Sequence, residues 1–407
     1  MKQTENKSRG GGFFFKKLKK LACFIIKTAF RNEIVKKTPI DYCQNYLILC
    51  AHGSGLDMFH TMAALEPLDY TVVAARKLFF GKLLGGLLRA SGAIPKKQFV
   101  TDLTALRLVK NAAESGKSIF ICPEGRSTPD GTNSHVSPAI AKMVKWLGLP
   151  VLFVKPQGSY LSFPRWVQSP RFGKMTTEVE LLLTKREVAN LSNQEIYEKI
   201  KKAFTFNEYD YQIENGIKFL TPSPAKKIHN LLFICPECKS QTDMYSTSKE
   251  ICCRACGLKA KVDVSGKLEF QKSGYFDRID QWVAFQKNEI ARLVAKDGFY
   301  YQIKTALSFE DELNNSYKKV ADGVFAIDKN GAVFTAESFF EDIDKSKYSK
   351  ITYPSSAFAS LSYGSSYLEL YAHESTQKYS FGDGVITYKI SLLLEAVYAL
   401  GLTHETA

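Results

Sequence analysis

From about residue 46 the chain alternates short, continuous apolar runs with longer segments of helical spacing. Tyr46–Ala51 (YLILCA), Tyr70–Ala75 (YTVVAA), Ser118–Cys122 (SIFIC), Val151–Lys155 (VLFVK) and Thr177–Thr184 (TEVELLLT) have the length and composition of buried strands. Helices are expected over Lys77–Ala90, Thr101–Ser115 and Ser137–Leu147. Strands that alternate with helices argue for a layered α/β architecture.

The pattern then changes. The segment Asn207–Lys227 ends in TPSPAKK and reads as a linker, and residues 231–270 are rich in cysteine. A helix is expected over Asp277–Ala295. Beyond it the chain is aromatic, β-branched and punctuated by NG, YG and GDG turns. Candidate strands there are Phe299–Ser308, Gly323–Asp328, Ala332–Thr335, Ile351–Tyr353, Tyr367–Ala372 and Lys378–Phe381, followed by a closing helix over Val385–Leu400. The expected organisation is a start with its own helix over residues 1–40, an α/β unit over 41–220, a small cysteine module over 221–270, and an α+β, β-rich region over 271–407.

The start has its own pattern. In FFFKKLKKLACFIIKTAF, residues Phe14, Leu18, Leu21, Ile25 and Ala29 fall on one helical stripe, with Lys16, Lys20 and Lys27 on the opposite side. A short basic amphipathic helix carrying bulky aromatics is suited to lie in a membrane interface. No run of eighteen apolar residues occurs, so no transmembrane helix is expected, and no cleavable signal peptide is visible. The whole net charge of +14 lies in the first half: residues 1–200 hold 30 Lys+Arg and 15 Asp+Glu, residues 201–407 hold 25 and 26. Such a field suits an anionic membrane surface, an anionic substrate or nucleic acid. The expected location is the cytoplasm, peripheral on the cytoplasmic face of the membrane.

Two strand-end loops carry the candidate chemistry. After the first run the chain reads Ala51-His52-Gly53-Ser54-Gly55-Leu56-Asp57, where a carboxylate folded back from a helix start could fix the imidazole tautomer and make His52 a general base. After the third run comes Cys122-Pro123-Glu124-Gly125-Arg126-Ser127, a carboxylate, a flexible glycine, a bidentate cation and a hydroxyl suited to a phosphorylated ligand. Between them lies Gly92-Ala93-Ile94-Pro95-Lys96-Lys97, and Gly148-Leu149-Pro150 leads into the fourth run.

The order and spacing of these motifs, over about residues 40–190, resemble the glycerolipid acyltransferase family, typified by 1-acylglycerol-3-phosphate acyltransferases, with its N-H-x4-D and F-P-E-G-x-R-S motifs. The chain departs from that pattern in having Ala51 before the histidine, Arg126 one position early, and Gln98 where an Arg commonly binds the acceptor phosphate. The resemblance implies an acyltransferase domain over 41–220 in which His52 deprotonates the acceptor hydroxyl and Asp57 orients it. The hydroxyl would attack the thioester of acyl-CoA or acyl-carrier protein. Glu124, Gly125, Arg126 and Ser127 would shape the acceptor site, with Arg126, Lys97 and Lys96 near the phosphate of a lysophospholipid. No G-x-S-x-G nucleophile elbow is present.

Five of nine cysteines crowd into residues 235–256. Cys235-x2-Cys238 and Cys253-x2-Cys256, separated by 14 residues, are spaced as a four-thiolate zinc ribbon with a closed, structural metal, leaving Cys252 outside it. With six Lys+Arg against five Asp+Glu, residues 231–270 have a poor electrostatic footprint for a nucleic-acid backbone. The rival readings are acylation of a different lipid hydroxyl, and a non-catalytic membrane- or nucleic-acid-binding zinc protein on the same scaffold.

Overall fold

In the computed structural model, which describes Phe24 and residues 28–98, 100–132, 134–311, 314–340 and 345–405, the first apolar runs pair into a seven-stranded sheet. Its strands are β1 (Asn32–Lys36), β2 (Leu47–Cys50), β3 (Tyr70–Ala75), β4 (Ile94–Lys96), β5 (Ser118–Ile121), β6 (Val151–Gln157) and β7 (Met175–Leu183), in the order β1-β7-β6-β2-β5-β3-β4. All neighbours are parallel except β6 and β7. Every residue of β2 is buried, because β5 and β6 flank it in the sheet plane and apolar clusters cover both faces. One cluster includes α3 (Leu103–Glu114) and α4 (Ala139–Leu147).

Two departures from the pattern have local causes. The helix expected over Lys77–Ala90 is split: a 3₁₀ turn at Arg76–Phe79 ends before extended Gly81, and α2 runs only over Lys82–Ala90. The Asn207–Lys227 segment is no plain linker. Asn207 caps α8 (Glu208–Glu214), whose Glu208, Tyr209 and Tyr211 are buried. The helix read over residues 13–30 lies almost wholly outside the described residues, but Asn32–Lys36, within the stretch assigned to it, is an edge strand beside β7.

Between β6 and α8 lie the short α5 (Ser159–Ser162), α6 (Lys185–Asn190) and α7 (Asn193–Ala203), the latter two each opened by a Thr or Ser capping box. Strands β8 (Met244–Ser246), β9 (Glu250–Cys253), β10 (Lys259–Val262) and β11 (Leu268–Phe270) form an antiparallel sheet over the cysteine module. After α9 (Ile279–Ala295) comes a second seven-stranded sheet, antiparallel throughout: β12 (Tyr300–Asp311), β13 (Ser316–Asp328), β14 (Gly331–Phe339), β15 (Lys350–Pro354), β16 (Ser362–Tyr363), β17 (Tyr367–Ala372) and β18 (Ser375–Ser380).

The closing helix α10 (Gly384–Glu405) is long and apolar enough to cross a membrane. Its Ile390, Leu393, Leu394 and Val397 are buried in the core shared with α9 and the second sheet, which makes it a core helix of that region. The same core runs on without a break through Ile251 and Leu268 of the ribbon to Tyr160 and Tyr209 beside the first sheet. Ion pairs Lys287–Asp130 and Arg278–Asp210 also tie α9 to the α/β unit.

Candidate functional site

Because β6, β2 and β5 are adjacent and parallel, the loops leaving their carboxyl ends converge on one edge of the sheet. His52 follows β2, Glu124 follows β5 and Ser159 follows β6. Asp57 is the first residue of α1 (Asp57–Leu65), close behind the turn that starts at Gly53. A Cβ at Gly53 would stand 3.0 Å from the Tyr160 nitrogen and 3.2 Å from the Ser159 Cβ, so glycine lets the His52 loop lie against the start of α5.

His52 Nδ1 is 2.8 Å from Asp57 Oδ2. The carboxylate is held from several sides: Ser54 N–H donates to Oδ2 at 2.9 Å, and the Ser159 hydroxyl donates to Oδ1. Ser54 and Ser159 hydroxyls also meet each other at 2.7 Å. The imidazole is 25% exposed and the carboxylate 1%. A buried anion fixed by several donors keeps the ring in the tautomer with Nδ1–H toward Asp57, leaving Nε2 as the proton acceptor. Burial pulls the His52 pKa down, but the hydrogen bond to Asp57 and the charges of Asp57 and Glu124 outweigh it, and the net shift is upward.

The loop after β5 braces this pair. Glu124 Oε1 accepts the His52 backbone N–H at 3.1 Å, and Thr128 N–H donates to the His52 carbonyl at 2.8 Å. Glu124 is almost fully buried, which pushes its pKa up to about 7 although His52 acts in the other direction. Gln98 donates to the Gly125 carbonyl at 2.5 Å, and the Ser127 carbonyl accepts from Arg165 at 3.1 Å.

The cations expected to face a phosphate are engaged within the fold. Arg126 is paired with Glu395 of α10 at 2.7 Å, donates to the Leu361 carbonyl at 3.0 Å and lies over the Tyr363 ring. Lys96 donates to the carbonyls of Lys97 and Val100, and burial lowers its pKa. The Lys97 backbone N–H is held by Asp102, the cap of α3. Lys96, Lys97 and Gln98 line one cavity with residues of the second sheet, and Glu124, Gly125, Arg126 and Ser127 are not among its lining residues.

Three contributors were not foreseen from the sequence. Ser159 and Arg165 come from the segment after β6, where a glycine-serine pair at the end of an apolar run was the available signal. Glu208 comes from the supposed linker; its Oε2 accepts the Gly158 N–H at 2.7 Å, one residue before Ser159, and burial raises its pKa to about 8.

The four cysteine sulfurs lie within 4.8 Å of one another, with Cys235–Cys256 at 3.6 Å and Cys238–Cys253 at 3.7 Å. A tetrahedral ion at about 2.3 Å from each thiolate sets sulfurs about 3.8 Å apart, so this donor set fits a four-thiolate metal. Each pair sits in the same turn. Lys239 N–H returns to the Cys235 carbonyl and Gly257 N–H to the Cys253 carbonyl, both at 3.0 Å. The residue after each second cysteine is left-handed, with φ of 61° at Lys239 and 76° at Gly257. Cys252, buried in β9, is outside the cluster.

Residues 31–154 match the protein-family model Acyltransferase. Over 114 residues the chain is 25% identical to a curated 1-acyl-sn-glycerol-3-phosphate acyltransferase of Streptococcus pneumoniae, covering 28% of this chain and 43% of that protein. The match thus spans less than half of that relative's length. The crystal structure of a 1-acyl-sn-glycerophosphate (LPA) acyltransferase from Thermotoga maritima aligns with 18% identity and a TM-score of 0.40, over 48% of this chain and 78% of that one.

Proposed function

We propose that this chain, whose residues 31–154 match the Acyltransferase family model, moves a fatty acyl group from acyl-CoA or acyl-carrier protein to the free hydroxyl of 1-acylglycerol-3-phosphate or a similar lysophospholipid. The observation that carries this reading is the His52–Asp57 pair, 2.8 Å apart, with the imidazole partly exposed and the carboxylate buried. His52 Nε2 takes the proton of the acceptor hydroxyl as its oxygen attacks the thioester carbonyl carbon. Asp57 stabilises the imidazolium so formed, and the collapse of the tetrahedral intermediate returns that proton to the leaving thiolate. Ser54 and Ser159, the hydroxyls beside the pair, are buried and bonded to each other and to the Asp57 side of the site, which suits positioning rather than nucleophilic attack.

Zinc in the Cys235, Cys238, Cys253 and Cys256 cluster would be structural, since four thiolates leave no open position for substrate. A membrane-surface location on the cytoplasmic side is supported by the basic start of the chain and by Leu83, Leu84 and Leu87, exposed on α2 between Lys82 and Arg89. The decisive measurement is lipid product analysis with labelled acyl-CoA and acyl-carrier protein against lysophospholipid acceptors. Wild type should form a diacyl product, and His52→Ala should lose on the order of 10²–10⁴-fold in rate while remaining folded. Equal rates in the two proteins would remove the mechanism.

A further inference from the structure

Arg165 follows α5 and reaches the loop after β5, where one terminal nitrogen donates to the Ser127 carbonyl at 3.1 Å. Its guanidinium carbon stands 4.2 Å from the centre of the Tyr363 ring, on β16 of the second sheet. Among the described residues no carboxylate pairs with it. A guanidinium carries five N–H donors, so most of its hydrogen-bonding capacity is unused. The side chain is only partly buried.

Its place is beside the His52–Asp57 pair. Thr128, the residue after Ser127, donates its N–H to the His52 carbonyl at 2.8 Å, so Arg165 and His52 hold the same stretch of loop. The positive charge is near enough to act on the imidazole, pulling its pKa down against Asp57 and Glu124. Arg126 lies over the same Tyr363 ring, 5.0 Å from its centre, and burial and Arg126 both work against the charge of Arg165. The two cations differ in what answers them. Arg126 is paired with Glu395 at 2.7 Å, and Arg165 has no such partner. Two like charges on one ring, one of them unanswered and partly desolvated, favour an anion placed beside them. Arg171 is a different case: it is 6% exposed and closed in by the Pro224 carbonyl and the Trp166 ring.

We infer that Arg165 holds the phosphate of the acyl acceptor, taking the role expected of Arg126, which Glu395 occupies. That the phosphate belongs to an acyl acceptor rests on the function proposed above. In 1-acylglycerol-3-phosphate the phosphorus is only a few covalent bonds from the hydroxyl that must reach His52 Nε2, so its cation has to stand close to that ring. The phosphates of a CoA donor lie at the far end of its pantetheine arm, away from the thioester. The Arg165 fork can meet two phosphate oxygens at once, and the ring beneath it fixes its plane. The anion also cancels the charge that pulls the His52 pKa down, which makes the imidazole a stronger base once acceptor is bound.

The test is steady-state kinetics on the full chain with labelled acyl-CoA and 1-acylglycerol-3-phosphate. Arg165→Gln should raise the acceptor KM about tenfold or more, the worth of one hydrogen bond to a charged group, and leave the acyl-CoA KM where it was. The rise in KM should exceed any fall in kcat, because the contact is made in the bound ground state as well as in the transition state. Arg165→Lys keeps the charge and gives up the fork; it should raise the acceptor KM by less, and it carries the test if Arg165→Gln does not fold. An acceptor KM unmoved in the variants that fold, or a rise in the acyl-CoA KM instead, would overturn the inference. Binding of glycerol 3-phosphate, followed by phosphorus NMR on the same proteins, separates the two proposals. Binding that Arg165→Gln abolishes, with no acyl transfer by wild type, sinks the proposed reaction and leaves the phosphate site standing. Acyl transfer with binding and acceptor KM indifferent to Arg165 does the reverse.

Discussion

Two histidines eight residues apart show how little a residue type says before its surroundings are known. His60, on α1, is fully buried against Phe30 with neither ring nitrogen hydrogen-bonded, and burial lowers its pKa to about 4. It is a neutral core side chain. His52, at a strand end, has a fixed carboxylate behind it and a shift in the opposite direction. A general base works in its neutral form, so its rate rises as pH passes the imidazole pKa. The rising limb of kcat/KM against pH should therefore lie above the ordinary 6.5. Removing the Asp57 charge takes away the largest influences that raise the His52 pKa. Asp57→Asn should accordingly move the limb to lower pH and cut the plateau on the order of a hundredfold or more. A pH–rate profile with the same limb in both proteins would mean that His52 does not set it. His52 and Asp57 were legible because both sit in one short motif. Ser159 and Glu208 were not, because their roles depend on β6 lying next to β2 and on α8 folding back, contacts separated by 102 and 50 residues.

At the scale of elements, continuous apolar runs were the reliable signal. Tyr70–Ala75 is a strand with the boundaries that its run defines, and β2, β5, β6 and β7 differ from theirs only at the ends. The failures were polar or short. β1 (NEIVK) hides at the end of a helical pattern, and α8 hides behind a Pro-rich tail although Asn207 is a good cap. The cysteine turns were legible from spacing alone, but their attachment was not. Trp282 Nε1 donates to the Ile234 carbonyl at 2.8 Å, and Gln286 bonds both to the Phe233 and Ile234 N–H groups and to the Leu231 carbonyl, so α9 grips the strand of chain entering the first turn. Metal loss should then be felt beyond the ribbon. Purified under reducing conditions, the chain should hold about one zinc, retained by Cys252→Ser and lost with Cys235→Ser or Cys256→Ser. Chelation should lower the melting temperature and quench or shift Trp282 fluorescence. A metal-free preparation with an unchanged melt would remove zinc from the account.

At the scale of the molecule, the charge asymmetry between the halves of the sequence bears on how the parts of the chain meet. Part of the basic excess is consumed internally: Arg76, Lys77 and Arg126 of the first half are paired with Glu310, Glu369 and Glu395 of the second. No composition argument could have foreseen that, since it depends on how the second sheet and α10 dock on the loops around the site. Residues 1–40 hold 11 of the 30 cations of the first half, and α2 carries exposed leucines, Leu83 at 81% exposure; the proposed membrane surface would engage both. A bilayer rewards both. Each cation near an anionic surface contributes about 1 kcal/mol, and each leucine buried about 1.5–3 kcal/mol. The full chain should therefore sediment with vesicles containing anionic lipid, release partly as salt rises, and bind neutral vesicles weakly. Leu83→Asp with Leu84→Asp should weaken binding at every salt concentration, because it removes the apolar term. Deleting residues 1–23 should flatten the salt dependence as well as lower binding overall, because it removes seven cations together with Phe14, Leu18 and Leu21. If the double leucine variant bound like wild type, α2 would not touch the bilayer; if the deletion left the salt dependence unchanged, the basic start would not be the part that meets the anionic surface.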